Sequence, residues 1–354
     1  MKEFTFFALM LFGMGANAQS LIDKDIERIA SGALAEGISY CPEDAVRYAG
    51  VVVQEIKTGN IVANVSLFYK NGEFVKNPIG NTVSVPTGLG RSVLYLAMMP
   101  EANPYMVVDT KEGLYIDSEG YSIEDHNHRR GGYGVVDMKR AFDYNSNIGM
   151  LKCAEIFFDK NIQRYAEAIN KTDIFFGAKA TTGYGTTWHS RDILGFTCQM
   201  SLLQQVCWIN AVAGGKYVIR LDEKDSNEPY DKIFNHKGLD SLRSAMRECV
   251  TEGVGVRMKS EYISVAAITN TSPKDAEGYK GLFAAGFFPY EKPEYSFAVY
   301  IQKDSKKGYA NPSSVARKII DWMTFYKLKE PPYWSFDYKP TIKHEEGWIH
   351  PADR

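Results

Sequence analysis

Cysteine is scarce and unclustered, with five residues (Cys41, Cys153, Cys198, Cys207 and Cys249) in a chain of 354. No C-x-x-C pair occurs, which excludes the common thiolate zinc sites and a dense disulfide framework. One bridge is open to the chain in an oxidising compartment, but the odd count leaves a thiol over, and buried apolar cysteine is the simpler role. Charge of one sign is also missing. Forty-one Lys and Arg face 43 Asp and Glu, a formal net charge of -2, so there is no basic footprint for nucleic acid or anionic lipid. After residue 13 no apolar run approaches the roughly 20 residues of a bilayer-spanning helix. Repeats, low-complexity tracts, linkers and cofactor-binding patterns are absent too, which favours one domain.

What is present is an ordinary globular composition, 45% hydrophobic and 24% charged, with 22 Tyr and 19 Phe. The N-terminus departs from it. Met1 and Lys2 precede an apolar run from Phe4 to Gly13, then Ala16-Asn17-Ala18. A basic start, a short apolar core and a small-x-small site predict a secretory signal over 1–18, cleaved between Ala18 and Gln19. The expected location is the periplasm or the outside of the cell. A folded domain over 19–328 and a tail rich in Pro and aromatics over 329–354 follow.

Ile22, Ile26, Ile29, Ala30, Ala33 and Leu34 form one apolar stripe and predict a first amphipathic helix. Gly50–Ile56 and Ile61–Val65 predict a hairpin turned by Lys57-Thr58-Gly59-Asn60. Between about 85 and 255 the pattern is helical, with helices over Ser92–Met99, Lys139–Phe158 and Met200–Ala213. The last ends at Gly214-Gly215, as a left-handed cap requires. Gly183-Tyr184-Gly185 marks a loop. Strands return over Tyr262–Thr269, Gly281–Phe288 and Tyr295–Gln302, and a final helix starts near Ser313. Strands from both chain ends imply an α/β (α+β) fold: a five-stranded, mainly antiparallel sheet with the terminal helices on one face and the helical block on the other.

This order resembles the penicillin-binding protein transpeptidase domain of the DD-peptidase and serine β-lactamase-like superfamily. Five segments carry the likeness. Gly50 to Ala63 is similar to the opening hairpin, and Asp137 to Met150 to the helix bearing the second motif, Ser-x-Asn. Cys198 to Val218, with Asn210-Ala211-Val212-Ala213-Gly214-Gly215-Lys216, is similar to the helix and turn that follow. Phe283-Ala284-Ala285-Gly286-Phe287-Phe288-Pro289 and Tyr295 to Ile301 resemble the strands after the third motif. The match spans roughly residues 25 to 325.

The resemblance implies acyl transfer by a serine and a lysine one helical turn apart, Ser-x-x-Lys, beside oxyanion donors. Aligned on Pro86, Gly88 stands in the place of the serine and Arg91 in that of the lysine. Glycine has no nucleophile, and arginine holds its proton too tightly to act as a base. The second motif reads Asn145-Ser146-Asn147, with Asn145 replacing the proton-shuttling serine and Asn147 retained. The third, Lys-Thr-Gly in the family, reads Ile268-Thr269-Asn270, followed by Thr271. Ile268 removes the cation for a substrate carboxylate, and Asn270 adds a side chain where backbone should approach the ligand. No Ser-x-x-Lys occurs anywhere in the chain. Lys57-Thr58-Gly59 spells the third motif but lies in the hairpin turn.

The expectation is a catalytically inactive relative that binds a peptidoglycan stem peptide or an envelope partner. Gly88, Arg91, Asn145, Asn147, Ile268, Thr269, Asn270 and Thr271 are its candidate ligand residues, with no catalytic residue and no metal assigned. The rival is an active acyl-serine transpeptidase or carboxypeptidase using Ser92 or Ser84. A third reading, metal-dependent hydrolysis, would use Glu124-Asp125-His126-Asn127-His128, with His344, Glu345 and His350 in the tail adding donors; such loops are more often solvated turns. Gly88-Leu89-Gly90-Arg91 has the makings of an anion site at a helix start, or is simply a turn that begins a helix.

Overall fold

The structure, a computed structural model, describes residues 21–70, 73–77, 80–172, 187–217, 232–327, 342–343 and 347–348. The segment expected to be a secretory signal (1–18), the 183–185 loop and nearly all of the aromatic tail lie outside the described residues. Helix α1 (Lys24–Ile38) starts where Asp23 caps it, accepting from the Asp25 and Ile26 N–H groups at 3.0 and 3.2 Å. Strands β1 (Val46–Glu55) and β2 (Ile61–Lys70) form the expected hairpin, with β3 (Glu73–Lys76) added at its edge. Then come β4 (Ser84–Pro86), α2 (Gly90–Met98), β5 (Val107–Asp109), β6 (Leu114–Ile116), β7 (Ser122–Glu124) and β8 (Val135–Asp137). Helices α3 (Met138–Asp143), α4 (Asn147–Phe158), α5 (Ile162–Lys171) and α6 (Ser190–Ile193) follow. After β9 (Gln199–Ser201) comes α7 (Leu202–Gly214), then the short pair β10 (Lys216–Tyr217) and β11 (Lys232–Ile233), and α8 (Leu239–Thr251). The chain closes the sheet with β12 (Ala266–Thr271), β13 (Tyr279–Phe288) and β14 (Tyr295–Asp304), then α9 (Pro312–Tyr326).

The main sheet has six strands in the order β12-β13-β14-β1-β2-β3, every neighbour antiparallel. Its period-two alternation separates two cores. Phe297, Val299 and Ile301 of β14 pack with Ile29, Leu34, Ile319 and Met323 of α1 and α9, whereas Ala298 and Tyr300 face the helical block. The terminal helices therefore cover one face and the block the other, as expected.

Three details differ from the sequence reading. The sheet gains β3, a four-residue edge strand too short to show a period. The last three strands begin and end within a few residues of expectation, with β12 starting at Ala266 instead of Tyr262. The helix expected over 139–158 is broken. Asn145 takes a left-handed backbone with φ 58°, and the Ser146 hydroxyl accepts from the Gly149 N–H at 2.8 Å, capping a fresh helix. Asn is among the residues that tolerate this conformation most readily, and serine is a preferred cap. The break matters because it turns residues 145 to 147 towards the sheet.

Candidate functional site

Helix α7 is buried on nearly every side and carries the site from beneath. Its start is secured by a reciprocal capping box between Ser201 and Gln204. One turn in, the fully buried Gln205 sends its Oε1 to the Gly88 N–H at 2.9 Å. The next amide, Leu89 N–H, donates to Thr87 Oγ1 at 3.1 Å. The two amides just before α2 are thus satisfied by side chains of this chain.

Gly88 itself is walled in. A Cβ built on it would fall inside the Phe283 ring, meeting Cγ, Cδ1 and Cε1. Phe283 is 1% exposed and sits on β13 opposite Asn270 of β12. The space in which a side chain at position 88 would stand is filled by aromatic carbon.

Arg91, the second residue of α2, is 4% exposed and bridges the other two motif positions. Its Nη1 donates to Asn147 Oδ1 and its Nη2 to Asn270 Oδ1. Asn147 passes the link on through Nδ2 to the Glu124 carbonyl at 2.7 Å, and Asn270 Nδ2 reaches the Gly88 carbonyl at 3.1 Å. Burial lowers the guanidinium to about 10, against the pull of Asp125, Cys249 and Tyr133, so it stays charged at neutral pH. The side chain of Asn270 is therefore turned into this network rather than out towards a ligand.

Asp125 anchors the joint between α3 and α4. Its Oδ2 accepts from Ser146 Oγ at 2.7 Å and its Oδ1 from the Ile148 N–H at 3.1 Å. Burial raises its carboxyl, while those bonds, the Asn147 amide and Arg91 oppose the rise. Its loop partners are local: Tyr133 Oη lies 3.1 Å from His126 Nδ1, and His128 Nδ1 lies 3.8 Å from Glu124. Among the described residues no three His, Cys, Asp or Glu side chains converge on a point; His344, Glu345 and His350 lie outside them.

Above this network is an open cleft of about 700 Å³. Arg91, Asn145, Asn147, Thr269, Asn270 and Thr271 line it, with Glu124 and Asp125 on one wall and Lys274 and Lys280 on another. Gly88 and Ile268 do not reach it; with Ser92 and Cys249 they border a void of about 10 Å³. Six of the eight candidate residues thus share one cleft and two lie outside it. Ser92 is 1% exposed, and neither it nor Ser84 lines the cleft. The Lys57-Thr58-Gly59 triplet stays in the β1–β2 turn. Phe283, Gln205, Lys274 and Lys280 were not singled out from the sequence. Strand alternation places Phe283 on the face of Ala285 and Phe287, but no local pattern reveals that it meets Gly88.

The family model of the penicillin binding protein transpeptidase domain matches residues 49–321. Among solved structures, the TP domain of Burkholderia pseudomallei penicillin-binding protein 3, in its apo form, is similar at 17% identity and a TM-score of 0.65. The likeness covers 90% of this chain and 99% of that one. A peptidoglycan glycosyltransferase from Burkholderia ambifaria is similar at 18% identity and the same TM-score of 0.65, over 89% of this chain and 99% of its own. No curated protein matches the chain. The fold, the order of the three motif positions and the family match over most of the chain agree: the chain belongs to the penicillin-binding protein transpeptidase family, whose members are typically associated with the cell envelope.

Proposed function

We propose that this chain is a non-catalytic member of its family that acts in the cell envelope by binding a peptidic ligand, a peptidoglycan stem peptide or a segment of an envelope protein. The observation that carries the reading is the pair at 88 and 91. Where acyl transfer needs a hydroxyl and a base, the chain has a Phe283-filled glycine and a guanidinium fixed between two asparagines. Proton transfer needs a group whose acidity lies near the operating pH, and an arginine lowered only to about 10 is a poor candidate. Ser92 offers no replacement, because it is buried beneath the cleft with no lysine three residues on.

What argues for binding rather than a filled, purely structural remnant is the cleft. Its volume falls within the range of ligand sites, and its walls keep the Asn145 and Thr271 side chains for an extended backbone to meet. The signal over 1–18 supports export to the periplasm.

Calorimetric titration with a peptidoglycan stem pentapeptide, followed by chromatography of the mixture, tests the reading. Reversible binding with the peptide recovered intact supports it. Release of the terminal residue would contradict the non-catalytic part, and protein purified from the periplasm should begin at Gln19.

A further inference from the structure

The two walls of the cleft differ in a way that the motif positions do not explain. The turn joining β12 to β13 carries Lys274, Asp275 and Glu277, with Lys280 just inside β13. Arg47 draws off both acids, pairing with Glu277 and lying 3.7 Å from Asp275, with the Tyr279 ring 3.6 Å beneath its guanidinium. Lys274 and Lys280 are left lining the cleft with no carboxylate within ion-pair distance among the described residues. Lys280 is half-buried and paired across the strands with the buried Lys303. Burial, then Lys303 and Lys274, make its ammonium easier to deprotonate than a free lysine. An incoming anion would relieve that repulsion.

The facing wall is apolar beyond its rim. Ser122 and Glu124 of β7 line the cleft, and their cross-strand partners on β6 are Ile116 and Leu114. Cross-strand pairs share a face, so the two aliphatic side chains lie beside Glu124 and Ser122, next to the cleft rather than in its lining. They are 64% and 50% exposed. The hairpin is held in place at its tip by Glu119 to His189 at 2.7 Å and by Arg191 at 5.4 Å from the Tyr121 ring. Glu124 on the same wall repels a ligand's acids towards the lysines.

We infer that the cleft receives an extended acidic segment of another protein, its carboxylates against Lys274 and Lys280 and its apolar side chains against Leu114 and Ile116. The inference rests on the non-catalytic binding reading above. An extended chain shows alternate residues to opposite sides, so a polypeptide alternating acidic and aliphatic residues meets both walls whichever way it runs. Charge complementarity selects the acid over the neutral or basic alternative.

Acetylated, amidated and fluorescein-labelled hexapeptides provide the test by anisotropy: (Glu-Leu)3, (Gln-Leu)3, (Lys-Leu)3 and (Glu-Ser)3. The (Glu-Leu)3 peptide should bind roughly tenfold more tightly than (Gln-Leu)3 at low salt, where two partly desolvated ion pairs count most. The K274Q/K280Q variant should erase that difference, and L114S/I116S should bring (Glu-Leu)3 to the level of (Glu-Ser)3. Both variants change exposed or half-buried side chains, and matching melting curves confirm their folds. Equal binding of (Glu-Leu)3 and (Gln-Leu)3, tighter binding of (Lys-Leu)3, or an acid preference that survives K274Q/K280Q each overturns the inference. Binding of a stem pentapeptide without (Glu-Leu)3 overturns it while leaving the cleft reading intact. Binding of neither class overturns both.

Discussion

Restoring a serine at position 88 should damage the fold. The Cβ of G88S overlaps three carbons of the Phe283 ring, which is 1% exposed. Overpacking of a tight core costs about 1–3 kcal/mol, and the site lies where both neighbours are buried, so the upper half of that range applies. For a domain of this size that corresponds to roughly 2 °C of Tm per kcal/mol. Shrinking the ring separates this mechanism from a general intolerance of substitution. F283A alone leaves a cavity and should cost about 3–5 kcal/mol. In G88S/F283A the new hydroxymethyl group occupies part of that cavity. The double variant should therefore be about as stable as F283A alone, a favourable coupling of about 2–3 kcal/mol relative to the sum of the singles. Urea unfolding of the four proteins, read by tryptophan fluorescence, gives the cycle. Additive costs, or a G88S protein as stable as the parent, would refute the idea that Phe283 fills the side-chain space at 88.

Two further outcomes follow from the buried charges. Replacing Arg91 by methionine (R91M) removes the donor to Asn147 Oδ1 and Asn270 Oδ1 and should cost about 2–4 kcal/mol, because one buried and one partly buried acceptor lose their partner; a neutral result in urea unfolding would mean that the bridge holds nothing together. Asp143 is 1% exposed and neither of its carboxyl oxygens has a hydrogen-bond partner among the described residues, and burial, then Glu248, push it up to about 7. A carboxyl raised on folding favours the protonated folded state. Its contribution is therefore full below the unfolded value near 3.8 and is lost as pH climbs through about 7. The loss amounts to as much as about 4 kcal/mol, and D143N should flatten the fall in stability between pH 4 and 7. Parallel stability curves for the parent and D143N would contradict this.

The sheet was legible because its strands are long and β-rich. Gly50–Ile56, Gly281–Phe288 and Tyr295–Gln302 fall inside β1, β13 and β14 apart from Ile56, the residue just past β1. The terminal helices were legible from their apolar stripes. Strand β3 was not, since Glu73–Lys76 has four residues and no period to detect. Nor was the break at Asn145, where a helical pattern continues across a left-handed residue that is held by contacts from distant segments, among them Asp125 with Ser146. At the site, motif order was enough to bring Arg91, Asn147 and Asn270 together. What fills the place beside Gly88 depends on Phe283 and Gln205, which come from distant strands and helices. Sequence spacing carries no information on such contacts. The lysine wall escaped for a related reason: its charges stand out only once Arg47, far away in the chain, has taken the neighbouring acids.

The central claim is that no serine of this chain performs acyl transfer. The most direct test is the intact mass of the full chain after prolonged incubation with an excess of a penicillin, beside an active family member treated alike. The account predicts an unchanged mass for this protein and a stoichiometric adduct on the control. A covalent adduct here, mapped by peptide sequencing to Ser92, Ser84 or any other serine, would contradict it.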